Sequence, residues 1–415
     1  MSASEILQYL SPRQKQVSKG LLFLLSGLVA VGAVAFIVGI QGASPSRIWT
    51  AYLVNFVYWT GIAQGAILLA VARQIVNAGW GKAIHRIAQS FSLFLPVSFL
   101  LFWILFFGRH ELFEWVRHPV PEKAAWLNTP FLFLRDGLGL LLLFGLSLRF
   151  VLLSLREDLI LTVDHLSDWR KNLYTRLIQR CPDEEKTKRQ LAILSPIVVI
   201  AYAVVFTILA WDLIMSLDPH WVSTLFGAFY FVGSFFSGLI LISIVAIFLR
   251  WRLGLDRWIG TSTLHDMGKL VFAFSIFWTY FFWSQYLVIW YGNLPEETEW
   301  FAKRQFGPYR NLSHLVLCLN FLAPFILLLV RKVKETAWAF GAIAFIPLIG
   351  MWLERYVLVA PSVLGTTQVW LGLPEALISL GFAALFFLCF LAFFRTFPIL
   401  PVQDLSEGSS THSHS

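Results

Sequence analysis

The sequence predicts an all-α integral membrane protein with ten transmembrane helices, and three observations carry that prediction. Hydrophobic residues make up 58% of the 415-residue chain and charged residues only 13%, about half the charged share of an average soluble domain. The mean hydropathy is +0.70, more apolar surface than a soluble fold of this size could hide. The apolar residues also fall into ten blocks, each matching or exceeding the roughly 20 residues that carry a helix across a bilayer core.

The blocks lie at 20–40, 48–76, 84–108, 129–154, 191–217, 221–249, 266–292, 312–331, 336–360 and 373–395. Several are long enough to tilt or to protrude into the interface. The first is too long for a signal-peptide core and no A-x-A site follows it, so it is expected to be retained. Between and beyond the blocks lie a segment over 1–19, loops over 156–190 and 292–311, and a tail over 396–415. The tail is small and polar and is expected to be disordered; its His412 and His414 make a weak metal pair. The 292–311 loop, acidic in PEETEW and basic in KRQFGPYR, reads as a polar docking loop. No internal repeat is evident.

Charge sets the orientation. Of the 32 Lys and Arg, 21 fall on the side that holds both termini and seven on the opposite side, and the bias persists without the 156–190 loop. The positive-inside rule therefore places both termini in the cytoplasm. The net charge of +8 is spread over short loops and reads as topology, not as a nucleic-acid footprint. Three scattered cysteines form no CxxC pair and no disulfide framework.

An ionisable group at membrane depth costs about 2.5–3.5 kcal/mol or more, so it needs a partner, water or a task. Asp212 lies about 9 Å below the outer turn Asp218-Pro219-His220 by helical rise. Pro219 blocks continuation of the fifth helix, and the sixth is expected to start near Trp221. Arg135 and Asp136 open the fourth helix on the same side, Glu354 and Arg355 lie late in the ninth, and His314 begins the eighth. Asp212 is expected to pair with an arginine such as Arg135 or Arg355, to serve a quinone pocket or proton path, or to do both. A second set, His265, Asp266 and Lys269 with Arg149 at similar depth, lies on the cytoplasmic side. Asp266 and Lys269 are spaced to pair, and Asp266 suits the first turn of the seventh helix.

At 100° per residue, Asp266, Lys269, Tyr280, Ser284 and Tyr291 share one face of that helix. The stripe reads as inter-helix hydrogen bonding or as a proton conduit, although the gap between Lys269 and Tyr280 needs water or a neighbouring helix. Ser275, Thr279 and Tyr286 form a second polar line. The 18 tryptophans, among them Trp211, Trp221, Trp283, Trp290 and Trp300, crowd helix ends as an interfacial belt does. None of the nine histidines reads as mid-membrane, and there is no CxxCH, phosphate-loop or Rossmann motif. The chain is expected to bind no metal and no redox cofactor of its own.

Two stretches carry a resemblance: WDLIMSLDPHWVSTLFGAFYFVGS at 211–234 and LHDMGKLVFAFSIFWTYFFWSQYLVIWYGNLPEETEWF at 264–301. They are similar to the ActF-type subunits of bacterial alternative complex III, within the NrfD-like (polysulfide reductase membrane-subunit) family. The resemblance covers about 20–395. It implies two four-helix bundles, helices 2–5 and 6–9, with flanking first and tenth helices, in the bacterial cytoplasmic membrane. It implies a subunit of a quinol-oxidising complex that passes electrons through iron–sulfur clusters and c-type haems of partner subunits. Those partners are an NrfD-like ActC sister, an iron–sulfur ActB, the c-haem subunits ActA and ActE, and ActD, together with membrane lipids. The residues that match are Asp212, Asp218, His220, His265, Asp266, Lys269, Ser284, Gln285 and Tyr291. A quinone or quinol is implied as ligand, and the sister subunit is the stronger candidate for the productive site. Asp218, His220, Trp221 and Trp290 would form a quinone pocket. Asp212, Asp266, Lys269, Tyr280, Ser284, Tyr291 and Glu354 are the proton-path candidates, and Arg135, Asp136, Arg149 and Arg355 the ion-pair candidates.

Two other readings stay open: a secondary ion carrier, for which Pro196, Pro324 and Pro347 are candidate helix breaks, and a structural anchor whose polar residues serve packing alone.

Overall fold

A computed structural model of the chain describes residues 18–166, 168–403 and 405; the segment over 1–17 and His412 and His414 lie outside the described residues. Among the described residues every regular element is helical. Ten helices are long and apolar enough to cross a membrane: α1 Lys19–Ile40, α2 Pro45–Val76, α3 Lys82–Leu112, α4 Thr129–Val163, α5 Glu184–Leu217, α6 Phe226–Leu253, α7 Thr261–Gly292, α8 Gly307–Leu327, α9 Ala337–Leu364 and α10 Leu373–Thr396.

Local chemistry sets many of the ends. Ser18, Asn128 and Asp183 cap α1, α4 and α5 with side-chain oxygens that accept backbone N–H groups. Asn77, Gly254 and Asn293 end α2, α6 and α7 in the left-handed conformation. The helices continue through Pro196, Pro347 and Pro361, and the irregularity falls in α8 instead, as a π-helical turn over Cys318–Leu322. Pro324 follows it and has no N–H to donate.

The helices form the two expected bundles, α2–α5 and α6–α9, with α1 and α10 paired against the α2–α3 side of the first. The bundles meet at α2 and α6 through glycine. A Cβ on Gly65 would lie 2.4 Å from the Ser234 carbonyl oxygen, and one on Gly238 2.6 Å from the Ala66 nitrogen. Gly61 and Gly65 on α2 thus face Ser234 and Gly238 on α6, two small-xxx-small patterns that bring backbones into contact. Gly32 and Gly381 do the same for α1 and α10.

Loops join on two faces. On the distal side the Lys123 ammonium donates to the Pro219 carbonyl at 2.5 Å and Lys303 pairs with Asp218. On the terminal side, where α1 begins and α10 ends, Arg149 donates to the Arg180 carbonyl and Tyr174 to that of Thr396.

The structure corrects several boundaries. α4 runs on to Val163 and α5 begins at Glu184, so the 156–190 loop shrinks to 164–183 around a short helix, Trp169–Gln179. α6 begins at Phe226, after a turn through 218–225, not near Trp221. The tail, expected to be disordered from 396, is packed through 403. Ile399, Leu400 and Val402 are fully buried, and Phe397 stacks on Tyr174 with ring centroids 6.1 Å apart. Three apolar side chains in four residues gave the segment a surface to bury that its polar continuation lacks.

Candidate functional site

Each bundle carries a buried ionic site near its distal end. In the first, Asp212 is fully buried near the end of α5. Arg135 lies 2.6 Å from its Oδ2 and also donates through Nε at 2.8 Å, while Trp126 Nε1 donates to Oδ1 at 2.9 Å. The guanidinium sits 3.7 Å from the Trp126 ring centroid and 4.3 Å from that of Phe131, so aromatic faces replace the water it has lost. The carboxylate of Asp136, on α4, lies beside that of Asp212, and neither oxygen of Asp136 accepts a well-formed hydrogen bond. Two acids therefore share one guanidinium, which leaves an odd acid able to hold or release a proton.

The second bundle repeats the plan with other residues. Trp221 and Trp300 stack at 3.8 Å, and the Arg304 guanidinium covers the other Trp300 face at 3.7 Å. Arg304 is fastened by bonds to the Leu358 carbonyl and the Ser362 hydroxyl, both at 2.7 Å, and to the Trp300 carbonyl at 2.8 Å. In each bundle the segment before the third helix supplies a tryptophan that is covered by an arginine, and the fourth helix supplies the acid. Here the acid is Glu354, 3.0 Å from Arg355 Nη1. Arg355 lies over the Tyr230 ring at 4.3 Å and donates to the Tyr230 carbonyl, stitching α9 to α6.

Arg304 is held by backbone and Ser362, and it does not engage Glu354 as Arg135 engages Asp212. A slot of about 50 Å³ remains, lined by Phe229, Trp278, Phe282, Gln285, Trp300, Arg304 and Glu354 among others. That is room for a few water molecules. The walls are mostly apolar, several of them aromatic, with an acceptor in Glu354 and donors in Arg304 and Gln285.

Asp218 lies behind this stack. Its carboxylate pairs with Lys303 at 2.8 Å, approaches Arg304 at 3.9 Å and accepts from the Ser362 hydroxyl. Burial raises its pKa, but Arg304, Lys303 and Ser362 together outweigh that and hold it below the ordinary carboxylate range. Burial alone would lower Lys303; its bond to Asp218 reverses the sign and raises it. An acid whose folded pKa is depressed stabilises the fold above its unfolded value and loses that contribution as pH falls through the folded value. The raised Lys303 is the mirror case, lost only as pH climbs through a folded value above that of a free lysine. Acidification below about pH 4 is therefore expected to loosen the distal loops, read as a change in tryptophan fluorescence. In Asp218→Asn the loops should already be looser at neutral pH, and that acid step should vanish.

A third feature runs through the first bundle. At its terminal end Arg86 on α3 pairs with Asp158 on α4 at 2.7 Å, both buried, and donates to the Ser154 carbonyl at 2.5 Å. His85 Nε2 lies 2.9 Å from the Ser154 hydroxyl and 3.0 Å from the Gln89 amide nitrogen. Deeper in, Gln64 bonds Ser147 at 2.9 Å and Thr60 bonds Ser98 at 2.6 Å. With Asp136 and Asp212 at the distal end, these groups stand at successive levels of the first bundle, a polar column whose levels are about 10 Å apart along the helix axes.

The remaining predicted residues are scattered. His220 is exposed, Trp290 is 61% exposed on the outer face of α7, and Trp221 is buried behind Trp300. The expected pocket of Asp218, His220, Trp221 and Trp290 thus does not form, because the turn through 218–225 folds back under the 295–305 helix. The α7 stripe also faces outward. Lys269, paired with Asp266 at 3.0 Å, has a 58% exposed side chain, Tyr280 and Tyr291 are 61% and 79% exposed, and Ser284 is half-buried. No interior path within this chain runs along that face among the described residues. Arg149 does not join Asp266; it bonds Gln190 at 3.0 Å.

Sequence reading gave no role to Arg86 or to Asp158, which fell within the expected 156–190 loop, and passed over Gln64. A signal existed: Ser154, Asp158 and Thr162 repeat at four-residue spacing, as do Thr60 and Gln64, so each set marks one helix face.

Ten apolar helices with buried ion pairs in both bundles define a multi-pass membrane protein that holds charged side chains at membrane depth. The chain belongs to the NrfD family, described as polysulphide reductase, NrfD, whose match spans residues 39–366, well over half of the sequence. It is therefore a membrane subunit of the kind that works within redox complexes. No individual curated protein matches the chain.

Proposed function

We propose that the chain is the ActF-type membrane subunit of an alternative complex III, a quinol-oxidising assembly in a bacterial cytoplasmic membrane. Its terminal side faces the cytoplasm, as the Lys and Arg bias suggests, and its partners are an ActC sister, ActB, the c-haem subunits ActA and ActE, and ActD. The iron–sulfur clusters and c-haems reside in those partners, and this chain supplies no redox centre. Its contributions are a headgroup slot for quinone and a route for protons.

The observation that carries the reading is the slot in the second bundle. A quinol site needs an aromatic cleft with an acceptor for the quinol proton and donors for the quinone oxygens. Glu354 meets the first need, and Arg304 and Gln285 the second. The ring enters by displacing the few waters that the slot can hold and by turning Phe282. The polar column of the first bundle favours proton transfer as the companion role, with Asp136 and Asp212 at its distal end.

Glu354→Gln keeps the shape of the slot and removes its proton acceptor. In the assembled complex it is expected to lower kcat/KM for quinol about tenfold, or ~1.4 kcal/mol, with unchanged haem and iron–sulfur spectra. An unchanged value in a fully assembled complex would remove the quinone role from this chain.

A further inference from the structure

The buried pair Arg86–Asp158 borders a cavity of about 190 Å³ on the terminal side, lined by His85, Arg86, Asp158, Thr187, Pro401 and Gln403, with exposed Glu184 and Lys188 at its rim. A polar cavity of this size holds on the order of ten water molecules. His85 is 3% exposed, and its Nδ1 is buried with no hydrogen-bond partner in the protein. An imidazole nitrogen left bare beside a polar cavity is satisfied by water.

The roof of this cavity is the start of the C-terminal tail. The 397–403 segment leaves α10, stacks Phe397 on Tyr174, and buries Ile399, Leu400 and Val402 completely. Pro401 and Gln403 line the cavity from above, and the Gln403 N–H donates to Asp158 Oδ1 at 3.1 Å. Asp158 is thereby shared: Oδ2 takes the Arg86 guanidinium and Oδ1 takes the tail backbone. The same carboxylate that anchors the column fastens its cover.

We propose that this cavity is a water-filled antechamber through which protons reach the first-bundle column from the terminal side, and that residues 397–403 are its lid. The inference rests on the proton role proposed above. The lid itself rests on packing: apolar anchors hold the strap down, and the Gln403 N–H fastens it to Asp158. Release of the latch exposes His85 and Asp158 to bulk water and lets the odd proton of the column exchange with the terminal side.

The test places a reporter thiol in the wall. Cys181, Cys318 and Cys389 are replaced by serine and Thr187→Cys is introduced, a position only 3% exposed. Labelling of the solubilised, assembled complex by a charged maleimide is timed with the full tail, with the chain ended at Phe397, and with Gln403→Pro. Ending the chain should raise the rate at least tenfold. Gln403→Pro, which removes the latch and keeps the apolar anchors, should raise it by a smaller factor. Should the shortened chain fail to assemble, Gln403→Pro carries the test alone. Equal rates in intact and altered chains would overturn the lid. Faster labelling with no change in proton uptake by the reconstituted complex would leave the lid standing and remove the proton role on which the antechamber depends.

Discussion

Arg135→Ala is expected to destabilise the protein by about 3–5 kcal/mol. The substitution leaves Asp212 fully buried and takes away the one cation that pairs with it among the described residues. Trp126 still donates one hydrogen bond, which does not offset the loss of a doubly engaged guanidinium. The aromatic faces of Trp126 and Phe131 also lose the cation they flank. The measurement is the thermal unfolding midpoint and yield of the purified complex. Much of the penalty comes from the stranded carboxylate and not from the missing attraction. Changing Arg135→Met, Asp212→Leu and Asp136→Asn together should therefore recover most of the stability while abolishing any proton function at this site. Equal instability in the single and the triple variant would mean that shape, not charge, is what the site supplies.

Trp300→Ala carries the second large effect. The indole is nearly buried between Trp221 and Arg304 and also forms a wall of the slot. Removing a buried tryptophan costs about 3–5 kcal/mol, and here it also takes away the ring that the Arg304 guanidinium covers. Two outcomes are expected in the assembled complex: a lower unfolding midpoint, and loss of quinol-dependent turnover beyond that caused by Glu354→Gln. Trp300→Phe, which keeps a ring under the guanidinium, should restore most of the stability. A Trp300→Ala complex of normal stability and turnover would show that the stack is decorative.

The ten helices were legible because a bilayer imposes one length and one composition on everything that crosses it. Their ends were less so. The extension of α4 to Val163 is amphipathic and that of α5 back to Glu184 is polar and exposed but for Thr187, and a hydropathy window ends where such a stretch of a still-continuous helix begins. That is why Asp158, buried on the inward face of such an extension, read as a loop charge. The candidate site split along the same line. Asp212, Asp136, Arg135, Glu354 and Arg355 were found because a charge inside an apolar block is conspicuous at once. Gln64, Ser147, Thr60 and Ser98 were not, since neutral polar groups scarcely lower the hydropathy of a long helix. The α7 stripe shows the converse limit. Periodicity establishes that Lys269, Tyr280 and Tyr291 share a face, but not which way the face points, and here it points away from the bundle.

The glycine crossing of α2 and α6 has a mechanical consequence. Backbone touches backbone where Gly65 meets Ser234 and Gly238 meets Ala66, with no cushion of rotatable side chains to absorb sliding. A secondary carrier of the rocking kind turns one half of its fold against the other about such a boundary. Here the boundary is a hard bearing surface at the centre of the molecule, close to the depth of Gln64 and Thr60. Motion is thereby confined to small parts: rotating side chains, moving water, a strap at one end. The contact suits two bundles that stay fixed against each other, as in a stator.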